Sequence, residues 1–268
     1  MRSDELIGVQ DKLPPHEVLR LLCVATGRQS VELQLGVELT PDQVAVFESL
    51  VARRLGNEPL QYIEGSVPFG SVEVAVDPRV LIPRPETEYL FELVVTMVSE
   101  PLVIVDLCTG SGNLALALKA RFPNAAVYAS DVSRDAISVA RSNAEGAGFE
   151  INVAHGNLFD PIPQTVKGRV DLLVSNPPYL AEREYSDLPP DVRREPRDAL
   201  VAGAVGDEVV RRIGEQIGDW MAPGGVVGIE VSEFHAWSVV DYFTDIGGTV
   251  LQDLTGRDRY VIGRLPFE

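Results

Sequence analysis

Between residues 14 and 56 the apolar positions recur every three or four residues. Val18, Leu19, Leu22 and Cys23 fall near one face of a helix opened by Pro15, His16 and Glu17 and stopped at Gly27. Val44, Phe47, Leu50, Val51 and Leu55 mark a second helix, with Thr40 as its N-cap and Pro41 in its first turn. Together these predict a small helical N-terminal domain over residues 1–60. From Tyr62 the period falls to two: Val72, Val74 and Val76 alternate with Ser71, Glu73, Ala75 and Asp77 behind the turn Val67-Pro68-Phe69-Gly70. That alternation is the mark of a β-hairpin, so 61–82 is expected to be a connector. Pro83 and Pro85 bar regular structure until Glu86, from which a helix can run through Met97.

Beyond Pro101 strands and helices alternate. Strands are predicted at 102–107, 126–130, 151–154, 170–175 and 225–231, and helices at 113–121, 133–145 and 206–220. This is the α/β pattern of a parallel sheet with helices on both faces. The tail adds a helix over 234–246 and strands at 248–254 and 258–264 as an antiparallel finish, so that 83–268 reads as one large domain.

Composition narrows the function classes. Of 268 residues 45% are hydrophobic and 24% charged, the balance of a globular enzyme, and no apolar stretch approaches the ~20 residues that cross a bilayer. The beginning of the chain carries no apolar leader, so a cytoplasmic location, no membrane association and a monomer are expected. Cys23, Cys108, His16, His155 and His235 lie at no ligand spacing, which argues against both a disulfide framework and a metal site. The net charge of −17 disfavours a direct nucleic-acid partner, because phosphates are gripped with Lys and Arg.

Candidate chemistry sits at two strand ends. The strand through Asp106 runs into Cys108-Thr109-Gly110-Ser111-Gly112 and then a helix; glycines allow a tight turn and close ligand approach, and the helix start offers unpaired amides. Nineteen residues past Gly112, Asp131 ends the next strand, where a carboxylate can accept both hydroxyls of a ribose. The loop also fits the dinucleotide fingerprint, so it alone leaves nicotinamide and S-adenosylmethionine cofactors in competition. Asp106 favours the latter, since a carboxylate just before the glycines suits a cationic amino group and not a pyrophosphate. Asn157, after the third strand, can read the adenine edge, with Leu158 or Phe159 packing on the ring.

The strand 170–175 delivers Asn176-Pro177-Pro178-Tyr179 at its carboxyl end. Two prolines stiffen this turn and supply no donors, so it presents acceptors, the Asn176 side-chain oxygen and the Pro177 carbonyl. A planar amide nitrogen is a weak nucleophile, and two acceptors on its hydrogens would pin it in line for transfer, with Tyr179 as a flat face beside it.

At these residues the chain resembles the release factor glutamine N(5)-methyltransferases of HemK/PrmC type. The resemblance runs over nearly the full length: Glu58-Pro59-Leu60-Gln61-Tyr62-Ile63 with Gly65, Leu81-Ile82-Pro83-Arg84-Pro85-Glu86-Thr87-Glu88, the glycine loop, Asp131, Ser175 to Tyr179, Asp191 to Pro196, Glu230 and Asp258-Arg259. It implies a Rossmann-like class I methyltransferase sheet with a small helical N-terminal domain and a β-hairpin connector. It also implies methyl transfer from S-adenosylmethionine, with S-adenosylhomocysteine as product, to the glutamine of a Gly-Gly-Gln loop in peptide chain release factors. In that scheme Asp106, Cys108, Thr109, Gly110, Ser111, Gly112, Asp131, Asn157, Leu158 and Asn176 hold the cofactor. Asn176 and Pro177 hold the amide, Pro178 and Tyr179 line its slot, and Arg84 and Glu86 border the site. Two features depart from the family. Cys108 stands where Gly is more usual, as in a subgroup acting on a ribosomal protein glutamine, and Asn157-Leu158 replaces an acidic-aromatic pair. A ribosomal protein glutamine, a small molecule or a nucleobase remains as an alternative acceptor, and a non-catalytic cofactor-binding module as a different class.

Overall fold

Thr40 accepts a hydrogen bond from the Gln43 amide while the Gln43 side chain accepts one from the Thr40 amide, a reciprocal cap that starts a helix over Pro41–Leu55. The computed structural model describes residues 1–9 and 12–267. Among these, the chain before the first strand forms α1 (Ser3–Val9), α2 (Pro15–Thr26), α3 (Ser30–Gln34), α4 (Pro41–Leu55) and α5 (Leu60–Glu64). Residues 1–66 together with 189–194 make one compact unit, and 67–188 with 195 onward make another. The helical unit closes over Val18, Leu21, Leu22, Leu33, Phe47, Leu50 and Ile63, and Gly27, left-handed at φ 67°, ends α2. Arg54 forks onto Glu17 at 2.8 and 3.0 Å, tying α4 to α2. Helix α5 runs past Leu60 into the first residues of the stretch 61–82 expected to be the connector; Leu60, Tyr62 and Ile63 are buried at helical spacing instead.

From Ser66 onward β1 (Ser66–Phe69) and β2 (Val72–Ala75) form the hairpin, followed by α6 (Pro85–Met97). Next come β3 (Val103–Leu107), α7 (Asn113–Arg121), β4 (Ala126–Asp131), α8 (Arg134–Ala147), β5 (Asn152–His155) and β6 (Val170–Ser175). A two-stranded parallel pair, β7 (Leu180–Ala181) and β8 (Val201–Gly203), is too short for alternation to announce. The chain ends with α9 (Glu208–Trp220), β9 (Met221–Glu230), α10 (Ala236–Val239), β10 (Thr249–Gln252) and β11 (Asp258–Arg264). The main sheet has the order β10-β11-β9-β6-β3-β4-β5, parallel from β9 to β5 and antiparallel at β11 and β10. The single helix expected over 234–246 is instead α10 followed by tight 3₁₀ turns; Phe243 leaves helical geometry at φ −118°, ψ 26° and is fully buried.

Asn143 of α8 anchors the hairpin. Its Oδ1 accepts from the Ala75 amide, and its Nδ2 donates to the carbonyls of Ala75 (3.0 Å) and Ser111 (2.9 Å). One buried side chain therefore serves both the edge of β2 and the glycine loop. Replacing it by Ala strands three backbone groups, and Asn143→Ala is expected to lower stability by about 2–4 kcal/mol, read from the denaturant midpoint at unchanged slope. No helix among the described residues is long and apolar enough to cross a membrane.

Candidate active site

Leu107 and Ser175 are register partners at the carboxyl ends of the neighbouring strands β3 and β6, and Ser175 Oγ donates to the Leu107 carbonyl at 2.7 Å. From β3 the chain winds toward β4 and β5, and from β6 toward β9, so the sheet reverses direction here, where open α/β sheets bind ligands. The two loops singled out in the sequence leave the sheet side by side at this point, and a cavity of ≈ 600 Å³ opens above them.

The glycine loop is bound to the end of β4. Thr109 N donates to the Ser130 carbonyl (3.0 Å) and Gly110 N to Asp131 Oδ2 (2.9 Å). Cys108 is left-handed at φ 59°, a conformation that usually calls for glycine, and its thiol is pushed above the usual range by burial and by the carboxylates of Asp131 and Asp106. Cys108, Thr109, Gly110 and Ser111 line the cavity; Gly112 (φ 84°) caps α7 behind it, where a Cβ would press on Leu116 and Ala140.

Asp106 lies at the cavity wall, wholly buried. Its Oδ2 accepts from Thr109 Oγ1 (2.5 Å) and Ala115 N (3.2 Å), while its Oδ1 is buried with no partner among the described residues. Burial pushes its carboxyl up to about 7. An orphaned carboxylate oxygen is a costly feature that a bound cation would relieve and a pyrophosphate would aggravate. Asp131 is held by Gly110 N and, through Oδ1, by Ser133 N (2.8 Å), which aims its free lone pairs at the cavity; burial raises its pKa too. Asn157 and Leu158 also line the cavity, and Ser130 Oγ holds the Leu158 carbonyl at 2.7 Å. These residues fit S-adenosylmethionine: a buried anion for its amino group, a braced carboxylate for its ribose, and an apolar and amide edge for its base.

At the other loop Asn176 and Pro178 line the cavity, while Pro177 is buried and is not part of the lining. Asn176 Nδ2 donates to Thr87 Oγ1 at 2.8 Å, and no hydrogen bond among the described residues reaches Oδ1. Tyr179 is not a lining residue either: its hydroxyl donates to Glu230 Oε1 (3.3 Å), its ring lies under Arg259 (5.8 Å), and burial raises its pKa. Arg84 pairs with the buried Glu195, which also accepts from Ile82 N at 3.0 Å. Arg84 thereby clamps the segment ending at Pro83 to the segment starting at Pro196, both of which line the cavity. The side chain of Glu86 enters no hydrogen bond or ion pair among the described residues; only its carbonyl does, accepting from the Tyr260 hydroxyl at 2.8 Å. Arg212 lines the cavity without having been marked in the sequence, and Thr87, named there only within the segment that carries the family resemblance, lines it too.

The chain matches two family models, the PrmC N-terminal domain over residues 4–65 and the methyltransferase small domain over 87–194. A solved methyltransferase from Pyrococcus furiosus superposes with a TM-score of 0.55 at 20% identity, covering 82% of this chain and all of that one, which shows the fold. The release factor glutamine methyltransferase of Mycolicibacterium smegmatis is 41% identical over 227 residues, 82% of this chain and 80% of the relative. Its counterpart in Neisseria gonorrhoeae is 35% identical over 269 residues, covering 98% of both chains. At that identity and coverage, helical unit and sheet alike, the chain belongs to the family of release factor glutamine methyltransferases.

Proposed function

We propose that this chain transfers a methyl group from S-adenosylmethionine to the side-chain amide nitrogen of the glutamine in the Gly-Gly-Gln loop of peptide chain release factors, working in the cytoplasm. The observation that carries this reading is the meeting of two groups at one cavity: a buried carboxylate oxygen on Asp106 and an acceptor oxygen on Asn176, each without a hydrogen-bond partner among the described residues. The names of the curated relatives supply the class of protein substrate.

When bound, S-adenosylmethionine supplies an electrophilic methyl group on a sulfonium. The chain's own residues do the rest. Asp106 and Asp131 hold the two polar ends of the cofactor, and Leu158 covers its base. Asn176 Oδ1 accepts one hydrogen of the glutamine amide; the other is assigned to the Pro177 carbonyl, which has no hydrogen-bond partner among the described residues, although Pro177 itself lies behind the cavity lining. Two acceptors on one NH₂ raise electron density on nitrogen and fix its plane, and orientation of this kind supplies effective molarities of ~10⁵ M or more. A C–S bond breaks, an N–C bond forms, and the nitrogen sheds one proton. The methylated nitrogen is strongly acidic, so no strong base is needed to take that proton.

Incubation with methyl-labelled cofactor and a release factor tests this. Label is expected on the loop glutamine and is expected to vanish when that glutamine is replaced; label that persists after the replacement overturns the assignment.

A further inference from the structure

A carboxamide has nearly the same shape either way round, yet the two orientations do opposite chemistry at this site. With Oδ1 toward the cavity, Asn176 draws in the NH₂ of an incoming amide. With Nδ2 toward the cavity it draws in the carbonyl oxygen, and the wrong atom faces the methyl group.

The orientation is decided at the cavity wall, by Thr87. Thr87 has one hydroxyl proton and donates it to Glu230 Oε2 at 2.6 Å; what it shows Asn176, at 2.8 Å, is a lone pair, which only Nδ2 can satisfy. Glu230 is held in turn, since its Oε1 receives the Tyr179 hydroxyl. Thr87 and Glu230 are each 1% exposed, so water does not substitute for either bond. The approach of α6 to β9 that brings them together depends on Gly228, on the same face of the strand as Glu230, where a Cβ would meet Val94 Cγ1 at 2.5 Å. We propose that Thr87 and Glu230 are positioning residues that lock the Asn176 carboxamide with Oδ1 toward the substrate, and so select the nitrogen of the glutamine amide over its oxygen; this rests on the glutamine-amide reading of the site.

The lock depends on the charge of Glu230. Arg259 favours its ionised form, Glu86 opposes it, and the Tyr179 hydroxyl lies against it. Tyr260, its partner across the β9–β11 ladder, spends its hydroxyl on the Glu86 carbonyl. Burial, the largest influence, pushes the Glu230 carboxyl up to about 7. Once protonated, Glu230 becomes a donor to Thr87, the Thr87 proton turns toward Asn176, and only Oδ1 can receive it. The carboxamide then presents Nδ2 to the cavity. The productive orientation is therefore present above about 7 and is lost as pH falls through that value.

The test combines steady-state methylation of a release factor with ¹⁵N spectra of the Asn176 side chain in the free protein. Thr87→Val is expected to lower kcat about 10²-fold with the cofactor Kd within about twofold, and Thr87→Ser to recover kcat to within about threefold of wild type. In Glu230→Gln the Tyr179 hydroxyl takes the single amide oxygen and leaves an NH₂ facing Thr87, so kcat is expected to fall about tenfold or more and to lose its acid limb. In the spectra one Nδ2 proton is expected downfield and protected at pH 8, and released at pH 6 and in Thr87→Val. Equal loss in Thr87→Val and Thr87→Ser, near-wild-type kcat in Thr87→Val, or Asn176 resonances that ignore pH would each overturn the inference. Should the chain methylate no glutamine, the functional reading falls while the spectra still decide the orientation.

Discussion

Asn176→Ala is expected to lower kcat for release factor methylation by about 10²–10³-fold, while the Kd for S-adenosylmethionine stays within about threefold. The split follows from where the side chain sits. Oδ1 is the acceptor left over at the cavity wall, whereas the cofactor's charged and hydroxylated parts fall to Asp106 and Asp131 on the other side of the β3–β6 boundary. Asn176→Asp is the sharper variant, because it keeps two acceptor oxygens at the same place. It is expected to do no better than Ala, since Thr87 offers a lone pair where the carboxylate would need a donor. Single-turnover rates at saturating cofactor, set beside calorimetric titration, separate the two quantities. An Asn176→Ala chain with unimpaired single-turnover rate would sink the assignment of Oδ1 as the amide acceptor.

The part of this site that can be read from the sequence is the part built by neighbours in the chain. Asp106, the glycine loop and Asp131 lie at the ends of strands whose apolar runs are unbroken, and each does its work within a few residues of a strand end. Asn176 is legible for the same reason: a stiff turn follows a buried strand. What turns Asn176 the right way is not legible, because Thr87 and Glu230 are 143 positions apart and a carboxylate closing a strand looks like any surface Glu until α6 is laid across it. Arg84 is a similar case. Its partner Glu195 is 111 positions away, so a residue expected at the border of the substrate site is found bracing two walls of the cavity. Tyr179 reads as a free aromatic face in the sequence; in the fold its hydroxyl and ring are engaged by Glu230 and Arg259. The short helices α3 and α5 escape periodicity because five residues hold too few repeats to show one. The joining of 189–194 to the helical unit escapes it as well, since no shift in composition marks that segment; it is held there by contacts such as Arg194 Nη2 with the Gly56 carbonyl at 3.0 Å.

Asp106→Asn is expected to weaken S-adenosylmethionine binding by about ten- to a hundredfold, the worth of one charge-assisted hydrogen bond of ~1.5–3 kcal/mol. The free protein holds this carboxyl at about 7 against an ordinary value of 3.8, chiefly through burial, with Asp131 nearby adding to the rise. Binding of an ammonium group requires the ionised form, so wild-type affinity is expected to level off above about pH 8. Below about 7 it should fall toward tenfold per unit, with close to one proton released per cofactor bound near pH 6. Calorimetry in two buffers of different ionisation enthalpy measures that release directly, and Asp106→Asn removes this part of it. The stability of the cofactor-free protein runs the opposite way. A carboxyl whose pKa is raised by folding binds more protons in the native state than in the unfolded one between 3.8 and about 7, so its contribution to stability declines as pH rises across that window and is flat above it. At pH 8 the charge at Asp106 costs the empty protein on the order of a few kcal/mol, which Asp106→Asn relieves at least in part. The variant is therefore expected to melt higher than wild type without cofactor, and saturating cofactor is expected to raise its midpoint by less than it raises that of wild type, a pairing that overpacking or simple misfolding would not produce. A wild-type affinity that is flat from pH 6 to 8.5, or an Asp106→Asn chain that binds as well as wild type, would show that the orphaned oxygen is not the seat of the amino group.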